Sequence, residues 1–401
     1  MSNMTVEQAL AIGLEHHRAG RLDQAKAAYV AILKVLPQHP DALHLLGQIL
    51  FTWEHYAEAA VAALSALAVR PDAAAVWRAL AAAREGAGDL TGAAAAARRA
   101  LSLDPLDPPG LALLAPLMKT AGRLPQAAAL YRRMARLCPP DSGDHAYAID
   151  NERLCRALAD GSSRSGAALP AVTIVIPCYN YGRYVAEAVD SALAQTYPNL
   201  DVVVVDGGSA EETLGVLRAL NRPRTRVLFR EGRHLVGDNR NFGIAATASP
   251  YICCLDADDA LEPSYIEKAV FFLDQCGFDL VSSQFHGFGA KITRPRWPLT
   301  RRPTLANLQD YNQVVTCALF RRANWEKAGG FHDFGLGADY IYEDWNLWVR
   351  MAAQGARIMN MDERLFRYRA HDAPRITGQK GLKTLQEQRV IIHAHNRDVL
   401  G

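Results

Sequence analysis

Long apolar runs are what this sequence most clearly lacks. No stretch of it approaches the roughly 18 apolar residues needed to cross a bilayer. Its start, MSNMTVEQALAIGLEHH, has no basic segment leading into an apolar one. Secretion and membrane insertion are therefore not expected. A preponderance of one charge is missing too: 44 Lys and Arg stand against 42 Asp and Glu, a net charge of +2 with His neutral. No broad cationic face is then available for nucleic acid or anionic lipid. The seven cysteines are an odd set without a C-x-x-C pair, and adjacent Cys253 and Cys254 lie in an apolar run that reads as a buried strand. Reduced thiols and a cytoplasmic chain are expected. What the sequence does have is bulk: half of its 401 residues are apolar and 21% are charged, enough for two globular domains.

The first third carries a repeat. Prolines stand at Pro37, Pro71, Pro105 and Pro139, each 34 residues after the last. The same step relates Ala25, Ala59, Ala93 and Ala127, the small residues Gly13, Gly47, Ala81 and Ala115, and the turn positions Gly20, Glu54, Gly88 and Gly122. Small residues let two antiparallel helices approach, glycine ends the first helix, and proline cannot continue the second. Each repeat is thus expected to be one helical hairpin. This resembles the tetratricopeptide repeat over residues 5–139, with Glu54 departing from glycine at its turn. Such an arm either stabilises or self-associates, or it recruits a protein partner on a concave surface. The string NERLCRALAD reads as a capping helix and GSSRSGAALP as a linker. The expected domains are residues 1–140, a cap and linker over 141–169, and a second domain with a C-terminal helix over 170–401.

From Val172 the pattern changes to short β-branched runs, VTIVIP, LDVVVVD, TRVLF and YICCLD, with helical stretches such as YVAEAVDSALAQ between them. This predicts a Rossmann-like, mostly parallel sheet, whose ligands bind beyond the carboxyl ends of the strands. Polar groups fall at those ends: Cys178, Tyr179 and Asn180, then Asp206, then Asp256, Asp258 and Asp259. Carboxylates crowded at the end of a buried strand are best kept ionised beside a cation, and Mg2+ or Mn2+ on one or two of them would leave room for diphosphate oxygens. An Asp-rich loop also caps helices, and DDALEPSYIEKA suits a helix start. Likewise Glu343 and Asp344 open a helix whose dipole favours acids; alternatively, Asp344 takes a proton from an acceptor hydroxyl.

In order, IPCYN, VDGGS, RNFGIA, LDADD, AGGF, EDWNLWVRM and YRAH look like the successive motifs of family-2 glycosyltransferases of GT-A fold, over about residues 172–371. The resemblance implies inverting transfer of one sugar, a hexose or N-acetylhexosamine, from a nucleoside-diphosphate sugar, with UDP-sugar foremost. It implies a donor site of Pro177, Tyr179, Asn180, Asp206, Arg240, Asp256 and Ala257, with Asp206 on the base, Asp256 on the ribose and Arg240 toward the diphosphate. Asp258 and His371 would hold Mn2+ or Mg2+, and Asp344, with Glu343 beside it, would be the general base. Asp206 stands without the second acid common in the family. The Q-x-x-R-W string and membrane spans of processive synthases are missing, and the nearest string is QEQRV, so single-sugar transfer is expected. The acceptor is a protein recruited by the repeats or a glycan, the latter compatible with a peripheral position at the inner membrane face. Two rivals remain. One is a non-catalytic scaffold with a degenerate transferase domain. The other is a nucleotidyltransferase, whose phosphate loop IPCYNYGRY would have to supply with one glycine and one arginine.

Overall fold

The computed structural model describes residues 5–164, 169–289, 299–335, 341–371 and 383–400. Residues 165–168 of the expected linker and 336–340 of the glycine-rich GGFHDFGLGADY string lie outside these. The chain divides into two compact units, Met1–Ala159 and Asp160–Gly401. Among the described residues no helix is long and apolar enough to cross a membrane.

The first unit is a run of helical hairpins: α1 (Val6–Arg18) with α2 (Leu22–Val35), α3 (Pro40–Thr52) with α4 (Tyr56–Val69), α5 (Ala74–Ala87) with α6 (Leu90–Leu103), and α7 (Pro108–Thr120) with α8 (Leu124–Leu137). Helix starts 6, 40, 74 and 108 keep the sequence step of 34, as do 22, 56, 90 and 124. The alanine column Ala25, Ala59, Ala93 and Ala127 is buried throughout, and every proline of the repeat follows its second helix. The turn column adopts left-handed backbone at all four positions, with φ of 73° at Gly20, 88° at Gly88 and 69° at Gly122, and also 63° at Glu54. Glycine takes that conformation freely, whereas a glutamate is strained in it. A ninth helix, α9 (Gly143–Asp160), begins earlier than the expected NERLCRALAD cap. The reason is the Ser142 hydroxyl, which accepts from the His145 N–H at 3.1 Å and supplies an N-cap.

The second unit is an α/β domain. Its elements in chain order are β1 (Val172–Cys178), α10 (Gly182–Leu193), β2 (Leu200–Asp206), α11 (Glu211–Ala219), β3 (Thr225–Phe229), α12 (Val236–Ala245), β4 (Tyr251–Cys254), β5 (Ala260–Leu261) and α13 (Tyr265–Cys276). There follow β6 (Leu280–Gly289), α14 (Leu305–Asp310), β7 (Leu319–Arg321), α15 (Arg322–Lys327), α16 (Glu343–Ala353), β8 (Ile358–Ala370), α17 (Leu385–His395) and α18 (Arg397–Leu400). The sheet order is β3-β2-β1-β4-β7-β6-β8-β5. Its first four strands are parallel; β7 is antiparallel to both β4 and β6, and β5 is antiparallel to β8. The expectation of a mostly parallel sheet thus describes the first half, and the second half is mixed.

Strand order reverses at β1, whose chain runs outward to β2 and β3 and then returns to β4 on the other side, which makes a ligand crevice there. Pairing of β1 with β4 ends at Val175 and Cys254, while pairing with β2 continues to Cys178 and Asp206. The Val175 carbonyl still accepts from the Leu255 N–H. Pro177 has the same parity as Val175, so its missing N–H faces the side where β4 has already departed and breaks no ladder bond. Helix α12 lies close on β1 and β2 because Gly243 has no side chain: a Cβ there would stand 2.5 Å from Val175 and 2.8 Å from Val205.

Two changes in the repeats should read out these contacts in urea denaturation of the full chain followed by helical circular dichroism. Glu54→Gly should stabilise the repeat unit by about 1 kcal/mol by relieving left-handed strain. Gly86→Ala should destabilise it by roughly 1–3 kcal/mol through overpacking, because the new Cβ would meet the Tyr56 ring at 2.4 Å.

Candidate active site

The crevice is lined from the loops that follow β1, β2 and β4. After β1, Asn180 takes φ of 58°. Its N–H donates to Ser209 Oγ at 2.9 Å, and its Oδ1 accepts from the Ala210 N–H at 2.8 Å. The β1 and β2 exits are thereby stitched together, with the Gly207 N–H donating to the Cys178 carbonyl at 2.9 Å. Gly208 passes so close to the chain after β3 that a Cβ would stand 1.9 Å from the Gly232 carbonyl. Tyr179 is half-buried beneath Arg233, whose guanidinium lies 5.0 Å from the ring centre.

Asp206, expected on the base, holds its own turn. It is 1% exposed, and its carboxylate accepts from the Gly208 N–H at 3.1 Å and the Ser209 N–H at 3.2 Å.

The LDADD loop leaves β4 and is pinned by β5, which pairs Ala260 with Arg367 and Leu261 with Phe366 of β8. That short antiparallel pairing brings the end of β8 back beside residues more than a hundred positions earlier. Asp258 Oδ2 lies 2.8 Å from His371 Nε2, and both side chains are nearly buried. His371 Nδ1 faces the Tyr184 hydroxyl at 3.1 Å, and the Tyr184 ring packs edge-on against the imidazole. Arg369 Nε donates to the Asp258 carbonyl at 2.7 Å, and the Arg369 N–H donates to Asp259 Oδ1 at 2.8 Å. Ala257, within the loop, is buried. Among the described residues no three His, Cys, Asp or Glu side chains converge as metal ligands. Asp258 and His371 offer two donors.

The second acidic element starts α16. Asp344 is buried, with Oδ2 accepting from Thr316 Oγ1 at 2.8 Å and Oδ1 from the Trp345 N–H at 2.7 Å. Burial pushes its carboxyl above the ordinary aspartate range, while Arg240 and the bonds from Thr316 and Trp345 pull the other way. Glu343 is buried too, and burial with the adjacent Asp344 drives it upward against the attraction of Arg240.

Arg240, expected toward the diphosphate or in a surface ion pair, makes ion pairs that are buried: it is 2% exposed, donating through Nη2 to Asp256 Oδ1 at 2.7 Å and through Nη1 to Glu343. Burial disfavours its charge, and Asp256 and Glu343 outweigh that penalty and keep it protonated. Asp256 alone of this group remains partly open, at 35% side-chain exposure. The structure therefore gathers Arg240, Asp256, Glu343 and Asp344 at one place and Asp258 with His371 at another. Asp206 is left in its turn.

Sequence reasoning missed Thr316, Tyr184 and Arg369. Only the last could have been noticed, as the arginine of YRAH. It also missed what holds the AGGF string. Arg350 of α16 donates to the Ala328 carbonyl and, at 2.5 Å, to the Gly330 carbonyl. Asn241 Oδ1 accepts from the Phe331 N–H at 2.8 Å.

Comparison with known proteins places both units in families. The family model described as glycosyl transferase family 2 matches residues 173–329, and a tetratricopeptide repeat model matches residues 10–66 and 54–108. An uncharacterised glycosyltransferase of Haemophilus influenzae is 27% identical over 225 residues, which cover 50% of this chain and 66% of that protein. Chondroitin synthase of Escherichia coli is 28% identical over 200 residues, 47% of this chain and 27% of that protein. The crystal structure of S. aureus TarS 1-349 in complex with UDP-GlcNAc is 18% identical with a TM-score of 0.47, covering 57% of this chain and 70% of that one. The chain spans only part of the length of these proteins. It joins tetratricopeptide repeats to a domain of glycosyltransferase family 2.

Proposed function

We propose that the chain is an inverting transferase that moves one hexose or N-acetylhexosamine from a nucleoside-diphosphate sugar, UDP-sugar foremost, to an acceptor hydroxyl. The observation that carries this reading is Asp344. It is a buried carboxyl, raised above its ordinary range and fixed by Thr316, in the same charge cluster as the partly open Asp256. A carboxyl whose hold on a proton is raised in this way suits proton removal from an alcohol.

In the proposed reaction the acceptor oxygen attacks the anomeric carbon and the bond to the departing nucleoside diphosphate breaks. The acceptor proton passes to an oxygen of Asp344. One displacement inverts the anomeric centre. Asn180 would hold the nucleotide loop, Tyr179 under Arg233 would offer an aromatic face to the base, and Asp256 would reach the ribose. The carboxylate and imidazole of Asp258 and His371 fit a Mn2+ or Mg2+ site completed by phosphate oxygens and water, and Tyr184 would orient the imidazole. A metal held by Asp258 and His371 would supply positive charge beside the leaving diphosphate. The acceptor is a glycan or a protein. The name of the chondroitin synthase relative makes a saccharide the first class to test, and the repeats make a recruited protein the second. Deleting residues 1–140 should impair transfer to a protein acceptor and spare transfer to a free saccharide.

Asp258→Ala should abolish the metal-dependent rise in melting temperature given by UDP with Mn2+. In wild type, ligand at a hundred times its Kd should add about 2.7 kcal/mol of stability. Asp344→Asn should retain that rise and lose roughly 100-fold or more of turnover, measured as sugar released or transferred from the donor.

A pH profile provides a further check. Asp344 must be ionised to act, so turnover should fall as pH drops through its raised folded value, on a limb above the ordinary aspartate range. Thr316→Val removes a bond that favours the ionised form, so the limb should move to higher pH. An unmoved limb would detach Thr316 from the base.

A further inference from the structure

We infer that Arg240 is a positioning residue for transfer, tying the nucleotide-side acid Asp256 to Glu343 at the head of α16 and so holding Asp344 in line, with Glu343 its anchor rather than a second base. This inference deepens the transferase reading and depends on it.

The argument begins with geometry. The two terminal nitrogens of the planar guanidinium are each committed to a different carboxylate on a different element: Nη2 to Asp256 after β4 and Nη1 to Glu343 on α16. Its face lies 5.3 Å from the centre of the Phe331 ring. Phe331 is itself held through its backbone by Asn241, the neighbour of Arg240 on α12. Further along the same helix, bare Gly243 lets α12 press onto Val175 and Val205, so the Arg240 backbone is anchored to the two strands that carry the nucleotide loops. Both terminal nitrogens are committed, and the Nε, which has no hydrogen-bond partner among the described residues, is sealed from solvent with the rest of the side chain, so Arg240 is not exposed to a diphosphate.

Charge gives the second step. Asp256, Glu343 and Asp344 converge on this one cation, and removing it would leave three acids in mutual repulsion in a poorly solvated place. Glu343, bound to Arg240 and buried, is not directed toward an acceptor. Asp344 is the adjacent residue on the first turn of α16, so the pair that fixes Glu343 also fixes the angle at which Asp344 is offered. The titratable groups facing Asp344 are Arg240 from α12, Asp256 from the loop after β4, and Glu343 and Tyr342 beside it; Asp333 faces Glu343.

The test uses the full chain with UDP and Mn2+ for binding and donor turnover for catalysis. Arg240→Met combined with Glu343→Met removes both charges without stranding either, so the fold should survive. That double variant should bind UDP with Mn2+ within about threefold of wild type while kcat falls roughly 30-fold or more, and its acid limb should move to higher pH. Arg240→Lys restores the charge without the fork, so it should return the limb toward its wild-type position and recover only part of kcat. Glu343→Gln can still accept from Arg240 and should lower kcat by no more than about tenfold, whereas a second base would lose far more. This milder variant decides the matter if the double variant does not fold. Unchanged kcat on losing Arg240, or a loss confined to UDP binding, overturns the inference and returns Arg240 to the donor site. Failure of wild type to bind any nucleoside diphosphate with metal overturns the transferase reading first, and the inference falls with it.

Discussion

A buried guanidinium needs partners on every accessible side, and in this domain that requirement organises the crevice. Arg240 can be charged and dry only while Asp256 and Glu343 flank it. Those acids come from the end of a central strand and the start of a late helix. Satisfying one cation therefore brings the LDADD motif together with the acids that open α16, far from it in sequence. The glycine that seats α12 on the sheet and the arginine that closes on the acids share one helix, so packing and electrostatics impose the same placement.

Asp258 and His371 are brought together by a different device. Two residues of β5 suffice to pair the LDADD loop with β8, and the ladder delivers His371 to Asp258 with Tyr184 and Arg369 around them. In the proposed reaction, acid–base chemistry and diphosphate handling would rest on two devices, one a buried ion cluster and the other a strand pairing, which meet in the LDADD loop that carries both Asp256 and Asp258.

Much of this was legible in the sequence, for identifiable reasons. The repeat showed because four copies place alanine, proline and the turn residue in register, and the left-handed turn at Glu54 could be inferred from its column even where glycine was absent. The strand runs and the acids at their ends showed because buried parallel strands are written as unbroken β-branched segments. Side-chain direction was not legible. Asp206 and Arg240 sit in motifs that suggest contact with a donor, yet one folds into its own turn and the other into an ion cluster, outcomes decided by neighbours distant in sequence. Thr316 carried no signal at all, because a lone threonine in YNQVVTCA acquires meaning only when α16 is packed over it. The early start of α9 was hidden in a single serine cap.

The hairpin arm has one further property. Successive pairs are joined chiefly by α2 on α3, α4 on α5 and α6 on α7. Cohesion in such an array passes from neighbour to neighbour, so a change at one of these seams should weaken the two hairpins it joins before it reaches the others.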